Sequence, residues 1–250
     1  MLNVLVATIN HNLPELTDNI VNQFYKNEKH SENKLDLMVV DNGSEPLKQS
    51  KHTTHKISKN IFYGGALNYI FEYFNKNDKW DYVYVLNNDL LFNGYNFFDY
   101  SVTQALFDSI DIYSPSVINA MIDQCYWKQM YNWYSYKCRQ VKWVDFQCPL
   151  FSKRFVNKIN QFPKDLFLGW GQDILSGILA EEMNFKICVD DTNTICHLHS
   201  QTMGQKAINL DGKVFAQNAE RNMHSVFTQL NILEKNAEFR EFGANYYYNI

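Results

Sequence analysis

Hydrophobic positions in the first ninety residues follow two alternating patterns, one typical of buried strands and one typical of helices. Residues 2–9 form a largely apolar run, and apolar side chains then recur at helical spacing over residues 13–24. The alternation continues with apolar runs at 35–40 and 82–86, a weaker run at 56–58 and a helix that opens at residue 64. It predicts an α/β fold of Rossmann-like type, with a mostly parallel central sheet flanked by helices.

The pattern in the second half is less regular. Residues 111–118 and 139–147 predict strands, and a segment rich in aromatic side chains lies between them at 126–136. A helix at 172–184, strands at 185–190 and 194–199 and a helix at about 213–235 follow. Since no repeat, linker or change of composition divides the chain, we expect a single domain over residues 1–250. Its lobes would cover about 1–110 and about 111–235, followed by a C-terminal tail at 236–250.

Composition narrows the classes of function and location. The chain is 46% hydrophobic, which supports a packed core, and its net charge of −4 gives no general attraction to nucleic acid or to an anionic membrane. No apolar stretch approaches the roughly 20 residues of a membrane helix, and the first strand has no charged region before it, as a signal peptide would. Five cysteines without a C-x-x-C pair suggest reduced thiols. We therefore expect a soluble, cytoplasmic protein.

Polar residues follow three of the predicted strands. They are Thr8 and Asn10, then Asp41 and Asn42, then Asn87, Asn88 and Asp89. In parallel sheets ligands bind beyond the carboxyl ends of the strands, so these clusters should converge on one edge. A carboxylate there can hold a hard divalent cation that neutralises a diphosphate. Considered alone, Asn87-Asn88-Asp89 is more typical of a simple turn than of a metal site.

Further residues carry possible chemistry. His197 and His199 lie two apart on a predicted strand, so both imidazoles can face one metal site; hydrogen-bonded core histidines are the alternative. Asp173 begins a helix after Gly169-Trp170-Gly171-Gln172, and it fits either a general base or a partner of the helix dipole. Gly64-Gly65 can cradle a phosphate or a sugar through backbone N–H groups. The aromatic segment either stacks on a ligand or belongs to the core.

The order of these motifs resembles that of family 2 glycosyltransferases, over about residues 2 to 225. The nucleotide-binding half of that family is similar to Val39-Val40-Asp41-Asn42-Gly43-Ser44, to Asn60-x-x-Tyr63-Gly64-Gly65-Ala66-x-Asn68 and to Leu86-Asn87-Asn88-Asp89. The acceptor half is similar to Trp143-Val144-Asp145-Phe146-Gln147-Cys148, Gly171-Gln172-Asp173, His197-x-x-Ser200-x-Thr202-x-Gly204 and Arg221-Asn222. The resemblance implies the GT-A fold.

The resemblance also implies a function, which is metal-dependent, inverting transfer of a sugar, hexose or pentose, from a nucleoside-diphosphate donor to a hydroxyl group. Asp173 would be the catalytic base. Asp89 would be the main carboxylate on a Mn²⁺ or Mg²⁺ ion, with His197, or less readily His199, as a further ligand. The donor, by preference a UDP-sugar, would contact Thr8, Asn10, Asp41, Asn42, Gly64, Gly65, Asn68, Asn87 and Asn88. Trp170, Gly171 and Gln172 would contact the acceptor.

Several alternatives remain open at the level of sequence. The favoured acceptor is a saccharide or a lipid-linked sugar. A modified DNA base is the second acceptor considered, because Lys128, Lys137, Arg139 and Lys142 accompany the aromatic segment. A protein side chain is the third. A sugar-phosphate nucleotidyltransferase and a non-catalytic nucleotide-sugar-binding module are the rival classes.

Overall fold

The computed structural model describes residues 1–118, 127–198 and 212–247. Within these ranges the strands are β1 (Asn3–Asn10), β2 (Lys34–Asn42), β3 (His55–Ile57), β4 (Tyr82–Leu86), β5 (Leu90–Phe92), β6 (Ile112–Val117), β7 (Cys138–Gln140), β8 (Leu150–Ser152) and β9 (Ile187–His197). The helices are α1 (Pro14–Glu28), α2 (Phe62–Asn77), α3 (Phe97–Phe107), α4 (Lys153–Ile159), α5 (Gln172–Glu182), α6 (Gly212–Gln229) and α7 (Leu233–Asn245).

The described strands form one mixed sheet in the order β3-β2-β1-β4-β8-β6-β9-β5, and β7 pairs with β9. Strands β1 to β4 pair in parallel, as their alternation with helices predicts. The later strands mix both directions, because β8 runs antiparallel to β4 and β6, and β5 and β7 run antiparallel to β9. The predicted α/β fold is confirmed, with a sheet that is parallel in its first half and mixed in its second.

Helices cover both faces of the sheet. On one face, the ring of Phe24 from α1 lies 5.8 Å from that of Phe98 from α3. Phe98 in turn packs on Tyr84 of β4 at 5.5 Å. On the other face Phe71 of α2 packs on Phe151 of β8 at 5.2 Å. Phe151 pairs with Val83, whose side chain points away from that of its neighbour Tyr84, so the two aromatic clusters lie on opposite faces.

Several elements differ from the predicted pattern. The helix predicted at about 213–235 is divided between α6 and α7. Residues 187–197 form one strand, β9, where two strands were predicted at 185–190 and 194–199. Its central polar residues are buried and hydrogen-bonded, and they hide its continuity in the sequence. Residues 139–147 supply only the short strand β7. Residues 236–245, expected in a tail, belong to α7, which places Phe239 fully inside the core. Among the described helices none is long and apolar enough to cross a membrane.

Candidate functional site

The ends of β1, β2 and β4 meet at one edge of the sheet, and a chain of hydrogen bonds joins them. Asn10 Nδ2 donates to Asp41 Oδ1 at 3.1 Å. Thr17 Oγ1 donates to Asn10 Oδ1 at 3.1 Å and accepts from Asn88 Nδ2 at 3.2 Å. Asn10, Asp41 and Asn88 are almost completely buried, so these bonds are shielded from water. The predicted convergence of the three polar clusters is confirmed.

The Asp41 carboxylate lies at the floor of this edge, with 1% of its surface exposed. Besides Asn10, it accepts a hydrogen bond from the Ser44 amide at 3.3 Å. A carboxylate has about four acceptor positions, so Asp41 keeps capacity for a ligand donor. Asn42 shapes the adjoining loop, because its side chain accepts from Ile61 N at 3.1 Å and donates to Phe62 O at 3.1 Å. The end of β2 is therefore held rigid by its own side chains.

Four of the residues predicted to contact the nucleotide-sugar donor make contacts within the protein instead. Thr8 is fully buried and donates its hydroxyl to Leu86 O at 3.1 Å. The Asn68 amide is bonded in both directions to the backbone of Phe162. Gly64 donates its N–H to Phe167 O at 2.9 Å, and a Cβ atom at Gly64 would lie 2.2 Å from Leu166 O. A Cβ atom at Gly65 would lie 2.9 Å from the Ile61 side chain. Close packing thus explains the glycine pair without a phosphate.

Asp89 and His197 form a carboxylate–imidazole pair at the same edge. His197 Nε2 lies 3.2 Å from Asp89 Oδ1, and the two side chains are 13% and 5% exposed. The antiparallel pairing of β5 with β9 places Leu90 opposite His197 and fixes this approach. The Leu198 amide also donates to Asp89 O at 2.7 Å. His199, the alternative ligand, lies outside the described residues.

This pair is suited in chemistry to a divalent cation. One carboxylate oxygen and one imidazole nitrogen suit Mn²⁺ better than Mg²⁺, which prefers oxygen ligands alone. Within residues 1–118, 127–198 and 212–247, three or more His, Cys, Asp or Glu side chains do not gather in a group that could hold a metal ion. Among the described residues the candidate ligands at this place are therefore two, the Asp89 carboxylate and the His197 imidazole. Asn87 precedes Asp89 by two residues, and its backbone N–H donates to Gln147 O at 3.0 Å.

A second acidic pair, Asp145 and Asp173, approaches from the other half of the chain. Burial, and then the negative charge of Asp145, raise the pKa of Asp173 from 3.8 to about 7. The bond from Ile174 N and the positive charge of Arg240 act in the opposite direction. The pKa of Asp145 is also raised by burial, and its bond from Gln147 Nε2 at 2.9 Å and the charge of His197 oppose this. Asp173 is thus poised to exchange a proton near neutral pH.

The turn before Asp173 requires its glycines. Gly169 and Gly171 have φ values of 98° and 87°, which other residues rarely adopt. A Cβ atom at Gly171 would lie 2.6 Å from Met223 Cγ, so α6 closes over the start of α5. Gln172 is fully buried and donates to Gly64 O at 3.4 Å, which ties α5 to α2. Trp170, between the two glycines, is partly exposed beside the site.

Three residues to which the sequence analysis gave no role interact with this site. Asp145 and Arg240 act electrostatically on Asp173. Tyr63 donates its hydroxyl to Phe146 O at 3.0 Å, and burial together with the charges of Asp145 and Asp173 raises its pKa. Asp145 stands in a motif that resembles the family pattern, so its position was a usable signal. Arg240 lies in the expected tail and had none.

Comparison with known proteins identifies solved structures whose fold is similar to that of this chain. No protein-family model and no curated protein matches the chain. TarS 1–349 of S. aureus, solved in complex with UDP-GlcNAc, is similar with a TM-score of 0.59 and 13% identity, over 96% of this chain and 72% of that one. The mannosyltransferase PcManGT from Pyrobaculum calidifontis, in complex with GDP-Man and Mn²⁺, has a TM-score of 0.52 and 14% identity, over 75% of this chain and 56% of its own.

GalNAc-T7 with UDP, GalNAc and Mn²⁺ has a TM-score of 0.58 and 9% identity, over 79% of this chain. The present chain spans 44% of the length of GalNAc-T7 and 56% of the length of the mannosyltransferase. These three structures share the GT-A architecture with the present chain, which is a single α/β domain with a central sheet flanked by helices.

Proposed function

We propose that the chain is a metal-dependent, inverting glycosyltransferase that moves one sugar from a nucleoside-diphosphate sugar to a hydroxyl group. The observation that carries this proposal is the juxtaposition, on a GT-A fold, of two kinds of acidic group. One is the buried Asp89–His197 pair, which suits a cation. The other is the carboxyl of Asp173, whose pKa is raised to about 7.

The donor nucleotide would lie on the edge formed by β1, β2 and β4. Asp41 is the acceptor there with capacity for a further hydrogen bond, which suits the N–H of a nucleobase. Asn10, Asn42 and Asn88 would act mainly by holding this surface in place, because their amides already bond within the chain. The similar structures carry UDP, UDP-GlcNAc or GDP-Man, and a uridine nucleotide is our proposal for this chain.

Asp89 and His197 would hold the cation, by preference Mn²⁺. A bound divalent ion supplies Lewis-acid chemistry, which neutralises the charge of a departing nucleoside diphosphate. The protein's own contribution is to keep one oxygen and one nitrogen ligand close together in a place that water scarcely reaches. His197 also faces Asp145, so the two acidic pairs adjoin one another.

Asp173 would accept the proton of the attacking hydroxyl group. As the proton moves to the Asp173 carboxylate, the acceptor oxygen forms its bond to the anomeric carbon, and the bond from that carbon to the diphosphate oxygen breaks. Attack opposite the leaving group inverts the anomeric centre, so an α-linked donor gives a β-linked product. A base with a pKa near 7 combines adequate basicity with an ionised fraction at neutral pH. Asp145 contributes because its negative charge strengthens the affinity of Asp173 for the proton.

The first experiment measures donor binding and product formation on the same preparation. Calorimetry with UDP in the presence and absence of Mn²⁺ tests the donor site, and mass spectrometry after incubation with a panel of nucleotide sugars and acceptor extracts tests transfer. We expect Mn²⁺-dependent binding and a product heavier than the acceptor by one sugar. Binding without any turnover of donor would favour a non-catalytic module, and full turnover in excess chelator would contradict the role of Asp89 and His197.

A further inference from the structure

Two tyrosines in the aromatic segment project into solvent from an unusual backbone. Tyr134 and Tyr136 are 63% and 77% exposed. Their φ values are 54° and 55°, a left-handed conformation that a bulky side chain rarely adopts. Buried neighbours, by contrast, include Met130 at 0% exposed. The segment is therefore divided between the core and an outer aromatic surface.

A buried ion pair holds this conformation in place. Arg139 Nη2 lies 2.8 Å from Asp191 Oδ1, and both side chains are almost inaccessible to solvent. The other oxygen of Asp191 accepts from Ser135 Oγ at 2.7 Å and from Ser135 N at 3.3 Å, directly between the two tyrosines. Strained backbone of this kind persists only where its surroundings determine it, and it concentrates at sites of function. The ion pair thus fixes the backbone between Tyr134 and Tyr136, whose side chains are exposed.

The aromatic surface continues onto the end of α7. The ring of Trp133 lies 5.6 Å from that of Tyr247 and 6.3 Å from that of Tyr246. Tyr247 is 73% exposed. We call Trp133, Tyr134, Tyr136, Tyr246 and Tyr247 the aromatic platform. Beside it is an open depression of about 510 Å³, lined by Tyr246 and Tyr247 together with Phe242, Lys142, Glu238 and Asn245.

The platform is anchored to the catalytic end of the molecule. The Asp145 amide donates to Met130 Sδ at 3.4 Å, so the segment that leads to the platform touches the backbone of a site residue. Trp127, at the start of that segment, packs on Trp143 at 4.8 Å. Arg240, whose charge acts on Asp173, lies 5.9 Å from the Trp127 ring. A chain-like acceptor with one end at Asp173 could therefore extend towards the platform.

The charges around the platform favour a saccharide over a nucleic acid. Of the four cations that accompany the aromatic segment, Arg139 is paired with Asp191 and Lys142 with Glu238, while Lys128 and Lys137 are exposed. The depression itself carries the negative charges of Glu238 and Glu241. A nucleic acid draws its affinity from cations that neutralise its phosphates. Sugar rings instead stack their C–H faces on aromatic rings and hydrogen-bond to amides and carboxylates, which are the groups present here.

We propose that the aromatic platform binds the sugar rings of an oligosaccharide acceptor some distance from the ring that receives the new sugar. The proposal rests on the proposed function, because it takes Asp173 as the place of transfer. The platform increases the affinity for the acceptor through stacking. It does not take part in donor binding, which is proposed for the ends of β1, β2 and β4. Acceptors too short to reach it are poorer substrates than long ones.

The test compares a double variant, Tyr134→Ala with Tyr247→Ala, with the control variant Tyr95→Ala. Tyr95 is 70% exposed and contacts His30, which follows the end of α1, whereas the start of α1 lies beside the polar ends of β1 and β2. The wild type and both variants are applied to a printed array of neutral and acidic oligosaccharides and, separately, to a single-stranded dT oligonucleotide. UDP affinity is measured by calorimetry on the same samples.

We expect the wild type and the Tyr95→Ala variant to retain the same oligosaccharides. The double variant should bind them about a hundredfold more weakly, about tenfold for each ring removed, with its UDP affinity unchanged. The proposal is overturned if the wild type retains no oligosaccharide, if the double variant retains them equally, or if it loses only binding to the oligonucleotide. If the wild type does not bind UDP, the proposed function is refuted instead. The two outcomes are distinguishable because calorimetry measures UDP binding and the array measures oligosaccharide binding.

Discussion

Replacement of Asp173 by Asn distinguishes a catalytic carboxyl from one that only supports the fold. A catalytic role predicts a large fall in the transfer rate, and a structural role predicts an unchanged transfer rate. Asn preserves the size of the side chain and can still accept the hydrogen bond from Ile174 N, which is 2.8 Å long. It cannot accept a proton from an attacking hydroxyl. We therefore expect the transfer rate to fall by about 10²–10⁴, the usual range for a general base, while UDP affinity stays constant.

The effect of this variant on stability follows from the raised pKa. A carboxyl whose pKa is 3.8 when exposed and about 7 when folded binds its proton more tightly in the native state. Its ionisation therefore destabilises the fold increasingly as the pH rises from about 4 to 7. The full difference corresponds to at most about 4 kcal/mol, and since Asp173 is partly exposed we expect about 1–2 kcal/mol. Asp173→Asn removes this cost above pH 7.

The assay records melting temperature at pH 5 and pH 8, transfer rate and UDP affinity for Asp173→Asn and for the control Asp165→Asn, an exposed residue of the preceding turn. At pH 8 the Asp173 variant should melt higher, by about 2–4 °C for each kcal/mol, with a smaller difference at pH 5. The control should match the wild type throughout. An unchanged transfer rate would refute catalysis by Asp173, and a lower melting temperature at pH 8 would refute the burial of its charge.

Three further variants test the remaining assignments. Asp89→Asn should nearly abolish Mn²⁺-dependent turnover without unfolding the chain, as turnover assays and circular dichroism would show; activity that survives in this variant would exclude Asp89 as a metal ligand. Asp41→Ala should weaken UDP binding by about 1–3 kcal/mol in calorimetry, the cost of removing a buried acceptor, and unchanged affinity would remove it from the donor site. Asp145→Asn removes the charge that raises the pKa of Asp173, so the midpoint of the pH–rate profile should move to lower pH; an unmoved midpoint would contradict their coupling.

The sequence predicted the first half of the fold well because its strands and helices follow simple periodicities. β1 and β4 are buried on both faces, which a continuous apolar run indicates directly. The convergence of Asn10, Asp41 and Asn88 then followed from the rule that parallel strands end at one edge. The roles of Thr8, Asn68 and Gly64 did not follow, because their partners lie 78, 94 and 103 positions away in the chain.

The second half was harder to predict because its buried polar groups disguise its strands. β9 carries Asp190, Asp191 and Asn193 through the interior, where Asp190 accepts from Tyr113 and Asn193 donates to Phe97. A hydrophobic pattern cannot distinguish such residues from a loop. The link between Asp145 and Asp173 was hidden in the same way, since it depends on a loop and the start of α5, which approach only in the folded chain.

The crossing of strands between the two halves has a consequence for how the molecule can be divided. β4 belongs to the first half of the chain, yet it lies between β1, also from the first half, and β8, from the second half. β5 of the first half pairs with β9 of the second half. A fragment cut near residue 110 would expose the edge of β4 that pairs with β8 and leave β5 without its neighbour, which favours aggregation. The lobes are therefore regions of one cooperative unit. Genetic fusion, circular permutation or split-reporter designs should spare this junction and enter the chain elsewhere.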